Sequence, residues 1–332
     1  MSTAAGPTRT VWDDFSTGFA VDGQDARWFH YGFGPYVGDD AVVTTSAAGL
    51  TAVSSGRNAD LGTPAFVRSL AQEAENGGLP GTLEHVKWLA FAEHESTHGF
   101  HGFDAVPGQV LAFESRFGGR TFGTGGHPFG ELVEDSEDDL RLASVGMPLL
   151  DEETSVIFDF FLSNKRVYAV YERLPFTRGD EQGNFAAFVY QIPVADRSVA
   201  DLHDFRIAYD PRAGAVSWQL DGTEVLRVDR IGYRLADREH LVVDHGGVET
   251  GVTPRQLNCG IGMFAALDYA RLGAIAPVRL SGTEGYYYST ALGEPAPQRF
   301  LDDKSLESNR LFGQGAEVRV EHVTVSIESA PA

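Results

Sequence analysis

The chain has 332 residues, with 47 acidic against 26 basic residues and a formal net charge of −21 at pH 7. This charge repels phosphate backbones and anionic membrane surfaces, and no local basic patch offsets it, so we expect neither nucleic acid nor a membrane as partner. One cysteine, Cys259, excludes an intramolecular disulfide and lies in an apolar run that is typical of a core thiol.

The N-terminal sixty residues combine glycine, aspartate and aromatic residues with short β-like pieces, of which 11–15 and 41–45 are predicted strands. Thr63 and Pro64 then fit the N-cap and first position of a helix that would run to Ala74 and end at Gly77. Residues 88–92 are compatible with a strand. No secretory signal is visible at the N-terminus and no run is long enough to span a membrane, so a cytoplasmic location is expected.

Strands dominate from Val110 onward, and proline and glycine mark the breaks between them. The predicted strands are 110–117, 139–146, 155–163, 166–174, 185–192, 203–209, 215–220, 223–229, 258–267 and 317–328. Many strands with almost no helix predict an all-β sandwich or jelly roll. We expect one domain over 1–332, elaborated in its N-terminal portion at about 20–100.

Residues 216–229 predict a β-hairpin around Asp221-Gly222, because this dipeptide supplies the two positive φ angles of a type I′ turn. Counting outward from the turn pairs Leu220 with Thr223 and Trp218 with Val225.

A second hairpin, 155–174, is predicted around Asn164 and carries the residues of greatest chemical interest. The predicted register pairs Phe161 with Tyr168 and Asp159 with Val170, and it places Glu172 diagonal to Asp159, roughly 7–8 Å away by sheet geometry. A carboxylate among apolar neighbours is costly to ionise, so its pKa should be raised, as in general acids and bases. The alternative is a structural Asp159–Arg141 ion pair.

Two further motifs have functional and structural interpretations. His94-Glu95-Ser96-Thr97-His98 matches the H-E-x-x-H pattern of zinc hydrolases, but that pattern requires a helix and the sequence around it favours a loop. The glycine-rich run 118–130 contains neither a P-loop nor a dinucleotide fingerprint. It is more typical of turns, although His127 within it is a candidate ligand contact.

The order of Tyr209-Asp210-Pro211, a strand with Trp218, Asp221-Gly222 and a further strand resembles the concanavalin A-like lectin/glucanase superfamily. This resemblance implies a jelly roll in which Trp12-Asp13-Asp14-Phe15 pairs with strand 317–328. Laminarinase-type glycosidases of the superfamily carry E-x-D-x-E or E-x-D-x-x-E on one strand. The matching strand here keeps Asp159 and has Ile157 and Phe161 at the flanking positions on the same face.

The departure from this motif favours an apolar ligand over a polysaccharide, with Phe161, Tyr190, His127 and Trp218 as candidate binding residues on the concave face. The predicted function is a cofactor-independent tailoring enzyme of bacterial secondary metabolism, such as a cyclase or isomerase. Asp159 would act as acid or base, Glu172 and Tyr168 would orient or relay a proton, and Arg141 would hold developing negative charge. The alternatives are a carbohydrate-binding or glycosidase-like domain and a zinc hydrolase using His94 and His98.

Overall fold

The structure, a computed structural model, describes residues 8–21, 23–179, 181–270, 275–288 and 296–330. Strands make up most of its regular structure. The helical segments are single turns: Gly81–His85, Thr124–Gly126, Gly130–Leu132 and Pro175–Thr177 are 3₁₀ turns, and α1 is Glu307–Arg310. Among the described residues no helix has the length and apolar character needed to cross a bilayer.

The strands of the N-terminal third are mostly short. They are β1 (Thr8–Asp13), β2 (Trp28–His30), β3 (Gly32–Phe33), β4 (Tyr36–Val37), β5 (Ala41–Ser46), β6 (Gly49–Ser54), β7 (Gly56–Arg57), β8 (Pro64–Ala65), β9 (Val86–Ala92) and β10 (Phe103–Asp104).

The later strands are longer and include most of both large sheets. They are β11 (Gln109–Phe122), β12 (Ser144–Asp151), β13 (Val156–Leu162), β14 (Arg166–Arg173), β15 (Phe188–Asp196), β16 (His203–Asp210), β17 (Ala215–Leu220), β18 (Thr223–Val228), β19 (Leu241–Asp244), β20 (Gln256–Phe264), β21 (Ala276–Val278), β22 (Phe300–Asp302) and β23 (Gly315–Ser329).

Two antiparallel sheets form the sandwich. Sheet 1 has the order β18-β17-β16-β11-β23-β6-β5, with β1 added alongside β23, and sheet 2 has the order β19-β15-β14-β13-β12-β20-β9-β2, with β10 added alongside β20. Both sheets contribute side chains to the core between them, among them Phe113 and Trp218 of sheet 1 and Phe158 and Met263 of sheet 2. The fold is therefore the predicted all-β, concanavalin A-like jelly roll.

The segment between residues 20 and 100 is built into this sandwich, since β5 and β6 belong to sheet 1 and β2 and β9 to sheet 2. The predicted pairing of the terminal strands is confirmed, because β1 lies antiparallel to β23. The hairpin turn is also confirmed: Asp221 and Gly222 both have positive φ, 49° and 79°. A β-bulge after Trp218 shifts that residue by one position, so it faces Leu226 and not Val225.

The helix predicted over 63–74 does not form. Backbone N–H groups of this segment donate hydrogen bonds to carboxylates instead. Those of Val67 and Arg68 donate to Asp40, and that of Leu70 donates to Glu84. These bonds satisfy the donors in an irregular conformation that the sequence pattern gives no sign of.

The strand predicted at 139–146 begins later, at Ser144, because Asp139 accepts from the backbone N–H of Arg141 and closes a turn there. Residues 86–92, which the sequence marks only as compatible with a strand, form β9 between β20 and β2.

Lys87 and Glu84 form an ion pair whose side chains are fully buried, and Lys87 Nζ also donates to the carbonyl of Arg68 at 2.8 Å. Replacing Lys87 with methionine leaves Glu84 buried with only Arg310, 3.7 Å away, as a cation. We expect Lys87→Met to lower the free energy of unfolding by about 3 kcal/mol in urea titrations. The double variant Lys87→Met/Glu84→Gln removes the stranded charge and should recover more than half of this loss; an equal or greater loss contradicts the explanation.

Candidate functional site

The face of sheet 2 that is turned away from sheet 1, called here the outer face, carries the candidate site. Strands β13 and β14 pair in the predicted register, with Asp159 opposite Val170 and Phe161 opposite Tyr168. Alternation along the two strands places six side chains on the outer face: Ile157, Asp159, Phe161, Tyr168, Val170 and Glu172. The opposite face carries Phe158, Phe160, Ala169 and Tyr171, which belong to the core between the sheets.

A cavity of about 660 Å³ lies on this outer face. Its volume is within the range of about 300–1,000 Å³ that is usual for small-molecule sites. Loops and short strands cover the sheet and complete the walls, which are mainly aromatic and aliphatic: Tyr31, Phe33, Leu83, Leu89, Phe91, Leu140, Leu150, Ile157, Phe161, Leu174, Phe176, Phe264 and Tyr269. The cavity therefore suits a largely apolar ligand.

Glycines in the neighbouring strands let two of these rings lie close to the sheet. A Cβ at Gly146 of β12 would come within 2.3 Å of the Phe161 ring, and one at Gly262 of β20 within 2.5 Å of the Phe264 ring. The two rings meet edge to face, with centroids 4.8 Å apart. Side chains at either glycine would displace the aromatic floor of the cavity.

Asp159 is the most unusual polar group in this floor. It is 2% exposed, and its Oδ1 atom has no hydrogen-bond partner among the described residues. Burial raises the pKa of Asp159 well above its ordinary value, the nearby charge of Glu172 raises it further, and a backbone N–H of Leu149 opposes both effects only in part. The raised pKa favours the protonated form of this carboxyl group.

Glu172 lines the same cavity from the adjacent strand and is 5% exposed. Burial raises the pKa of Glu172 to about 7, although the charge of His85 acts in the opposite direction. Two neighbouring buried carboxyl groups with raised pKa values are candidates for a general acid and a general base.

His85 completes the polar part of the cavity and was missed by the sequence analysis. It ends the 3₁₀ turn at 81–85, and its Nε2 lies 2.5 Å from Asp268 Oδ1, while the Tyr287 hydroxyl donates to the other oxygen of Asp268. Burial alone would lower the pKa of His85, but the charge and hydrogen bond of Asp268 raise it overall. The contact with Asp268 thus fixes the orientation of the imidazole ring.

The raised pKa of Glu172 makes a prediction about stability. A carboxyl group with a higher pKa in the folded state stabilises the fold at low pH, and this contribution is lost as the pH rises through the folded-state pKa, here about 7. We expect Glu172→Gln to be more stable than the wild type at pH 9 by about 2 to 3 kcal/mol, and to lose most of this advantage at pH 5. The exposed Glu75→Gln variant is the control and should show no such pH-dependent gain; equal behaviour of the two variants in urea titrations would refute the raised pKa.

Arg141 and Tyr168 lie beside this cavity and not in it. Arg141 forms a buried pair with Asp139, with Nη2 and Oδ2 2.5 Å apart, and Tyr168 donates to Asp138 at 2.9 Å. Both line a second cavity of about 290 Å³ on the outer face. Neither the predicted role of Arg141 in holding negative charge in the site nor the alternative Asp159–Arg141 ion pair fits this geometry, because Arg141 is bound to Asp139, two residues before it.

Three predicted binding residues lie elsewhere. Tyr190 lies opposite Tyr171 in the register of β14 and β15, and both side chains are in the core between the sheets. Because neighbouring residues of a strand face opposite sides, it is the next residue, Gln191, that lines the cavity. Trp218 also lies in this core, fully buried, and its Nε1 donates to the carbonyl of Asp159 at 2.8 Å. His127 stacks on Phe129 and does not line the cavity.

The H-E-x-x-H segment forms a loop between β9 and β10, so its histidines are not one helical turn apart. His94 Nδ1 lies 2.8 Å from the carbonyl of Gly102 and its ring stacks on Phe103, whereas His98 lies beside Arg255. Within the described ranges no group of three or more histidine, cysteine, aspartate or glutamate side chains has metal-binding geometry. The structural condition for the zinc-hydrolase alternative is not met.

Fold and site together define a concanavalin A-like jelly roll with an apolar cavity over its outer sheet face and a pair of carboxyl groups in the cavity floor. The chain belongs to DUF6081, a family of unknown function, whose model matches residues 12–329. A curated relative, "Uncharacterized protein L829" of Acanthamoeba polyphaga mimivirus, is 29% identical over 311 residues that cover 77% of this chain. The match spans 65% of the relative's length.

Two solved structures with similar folds are an endo-1,3-β-glucanase and a κ-carrageenase. An endo-1,3-β-glucanase from Streptomyces sioyaensis is 13% identical, covers 99% of both chains and has a TM-score of 0.47. A κ-carrageenase from Pseudoalteromonas carrageenovora, in complex with an oligotetrasaccharide, is 13% identical with a TM-score of 0.38 and covers 98% of this chain and 97% of its own. Similarity at this level concerns the fold alone.

Proposed function

We propose that the protein binds a small, largely apolar molecule in the 660 Å³ cavity and catalyses proton transfer on it. The observation that carries the proposal is the orphaned, buried Oδ1 of Asp159 in an aromatic and aliphatic cavity. Burying a polar oxygen without a partner costs free energy, and a ligand that hydrogen-bonds to it recovers that cost. A buried polar atom that is left without a hydrogen-bond partner, despite this cost in free energy, is typical of a functional site.

The two carboxyl groups have complementary roles in this proposal. Asp159, whose pKa is raised by burial and by the charge of Glu172, acts as the acid, whereas Glu172, whose pKa burial raises to about 7, acts as the base. His85, oriented by Asp268, supplies positive charge beside Glu172 and favours its ionised form. Isomerisation and cyclisation are reactions of this proton-transfer type, and we propose that the protein catalyses one of the two. The similar proteins give no support for a place in secondary metabolism.

Turnover as a function of pH tests the proposal. Because Glu172 must be ionised and Asp159 protonated, the rate on a true substrate should rise and then fall with pH, with the rising limb near pH 7. A rate that is independent of pH between 5 and 9 contradicts the assignment of both groups.

Carbohydrate chemistry is the second candidate, and one observation favours it: two carboxyl groups stand on adjacent strands of the jelly-roll face, diagonal in register. Such a pair suits glycoside cleavage in principle. Ile157 and Phe161 flank Asp159 where the glycosidase motif has carboxylates, and they make the floor apolar. Release of reducing sugar from laminarin by the wild type, lost in Asp159→Asn, would establish this candidate over the first.

A further inference from the structure

The 290 Å³ cavity continues the same sheet face beyond the main cavity. The two cavities share Leu140 and Gln191 in their walls. Gln191 lies opposite Val170 in the register of β14 and β15, so it stands on the sheet beside the carboxyl pair. A ligand long enough to pass these two side chains would occupy both cavities.

The walls of the second cavity differ in chemistry from those of the first. It is lined mainly by hydrogen-bonding side chains: Asp138, Asp139, Arg141, Arg166, Tyr168, Gln191, Glu239 and His240. Donors and acceptors of both kinds are present, so this cavity favours a ligand group with several polar atoms.

Four of the five charged side chains that line this cavity are paired with each other. Arg141 binds Asp139, and Arg166 lies 3.4 Å from Asp138. An anionic ligand group would therefore meet arginines whose charge is compensated. A cationic group would meet compensated carboxylates and Glu239, which is exposed and whose charge solvent screens. Burying a charge without a dedicated counter-charge is costly, so the cavity disfavours ions of either sign.

Resting on the proposed function, we infer that the ligand is amphipathic: an apolar body fills the main cavity, and an uncharged, hydrogen-bonding head group enters the second cavity past Leu140 and Gln191. The polar amide of Gln191 and the ring of His240 are placed to bind this head group. The main cavity thus recognises the shape of the apolar body, and the second cavity recognises the head group by hydrogen bonds.

Calorimetric titration with four molecules that share a hexyl chain tests the inference: hexyl glucoside, 1-hexanol, hexanoate and hexylamine. The glucoside should bind at least about tenfold more tightly than the other three, which is about 1.4 kcal/mol. In His240→Phe, which changes a residue that lines the second cavity and not the apolar one, the glucoside should fall to within about twofold of hexanol, whose own affinity should not change.

Each other outcome has a defined meaning. Equal binding of the glucoside and hexanol to the wild type overturns the head-group site and leaves the apolar cavity intact. Tighter binding of hexanoate or hexylamine overturns the claim that the head group is uncharged. Failure of all four molecules to bind contradicts the proposed function itself, and the inference with it.

Discussion

Ile157→Trp is expected to weaken the binding of a neutral apolar ligand strongly while leaving the fold unchanged. Ile157 is half-buried, lines the cavity and lies directly opposite Glu172 on the outer face. An indole at this position fills cavity space beside the carboxyl pair and does not enter the core between the sheets. The fluorescence enhancement of N-phenyl-1-naphthylamine, a neutral probe, should weaken by at least about tenfold in affinity.

The matched control introduces the same side chain outside the cavity. Leu61 is 63% exposed, and Leu61→Trp should bind the probe as the wild type does. Both variants should unfold at temperatures close to that of the wild type. Unaltered probe binding by a well-folded Ile157→Trp would show that the probe, and by extension an apolar ligand, uses another site.

Asp159→Asn is expected to lower kcat on a true substrate by about 10² to 10⁴, because an amide of the same shape has no acidic proton to transfer. Its affinity for the neutral probe should stay within about twofold of wild type, since the apolar walls are untouched. The unpaired Oδ1 of Asp159 makes this substitution mild for the fold: no protein hydrogen bond to that atom is lost.

Asp196→Asn, on β15 with its side chain 94% exposed, controls for the loss of a carboxylate from the same sheet. It should retain full activity. Wild-type turnover by Asp159→Asn would remove Asp159 from the chemistry and leave it as a structural group.

Much of the site's sheet could be predicted from the sequence because strand alternation and a short turn determine which residues share a face. Asp159, Phe161 and Glu172 follow directly from the position of Asn164 in the hairpin. Tyr190 shows the limit of this reasoning, because the sequence of a predicted strand does not specify which of its two faces turns outward. In the structure Tyr190 lies on the face that packs in the core between the sheets.

The remainder of the site comes from loops, where no periodicity operates. His85 lies in a single 3₁₀ turn and Asp268 in the loop after β20, and only the folded chain brings them together. Arg141 was misassigned for a related reason: a side chain two residues away, Asp139, captures it in a turn that replaces the start of the predicted strand. Local carboxylate-to-backbone bonds likewise replaced the predicted helix after Thr63.

The central claim is that an apolar cavity holds a carboxylic acid that stays protonated at neutral pH, and infrared difference spectroscopy tests it most directly. The wild type at pH 7 should show the carbonyl-stretch band of a protonated, weakly hydrogen-bonded carboxylic acid. In Asp159→Asn the Asp159 component of this band should be missing and only the band of half-protonated Glu172 should remain. The Asp159 component should be retained in Asp196→Asn and shifted when N-phenyl-1-naphthylamine occupies the cavity. Absence of the band from the wild type at pH 7, or a band of the same intensity in Asp159→Asn that does not shift with the probe, would contradict the account.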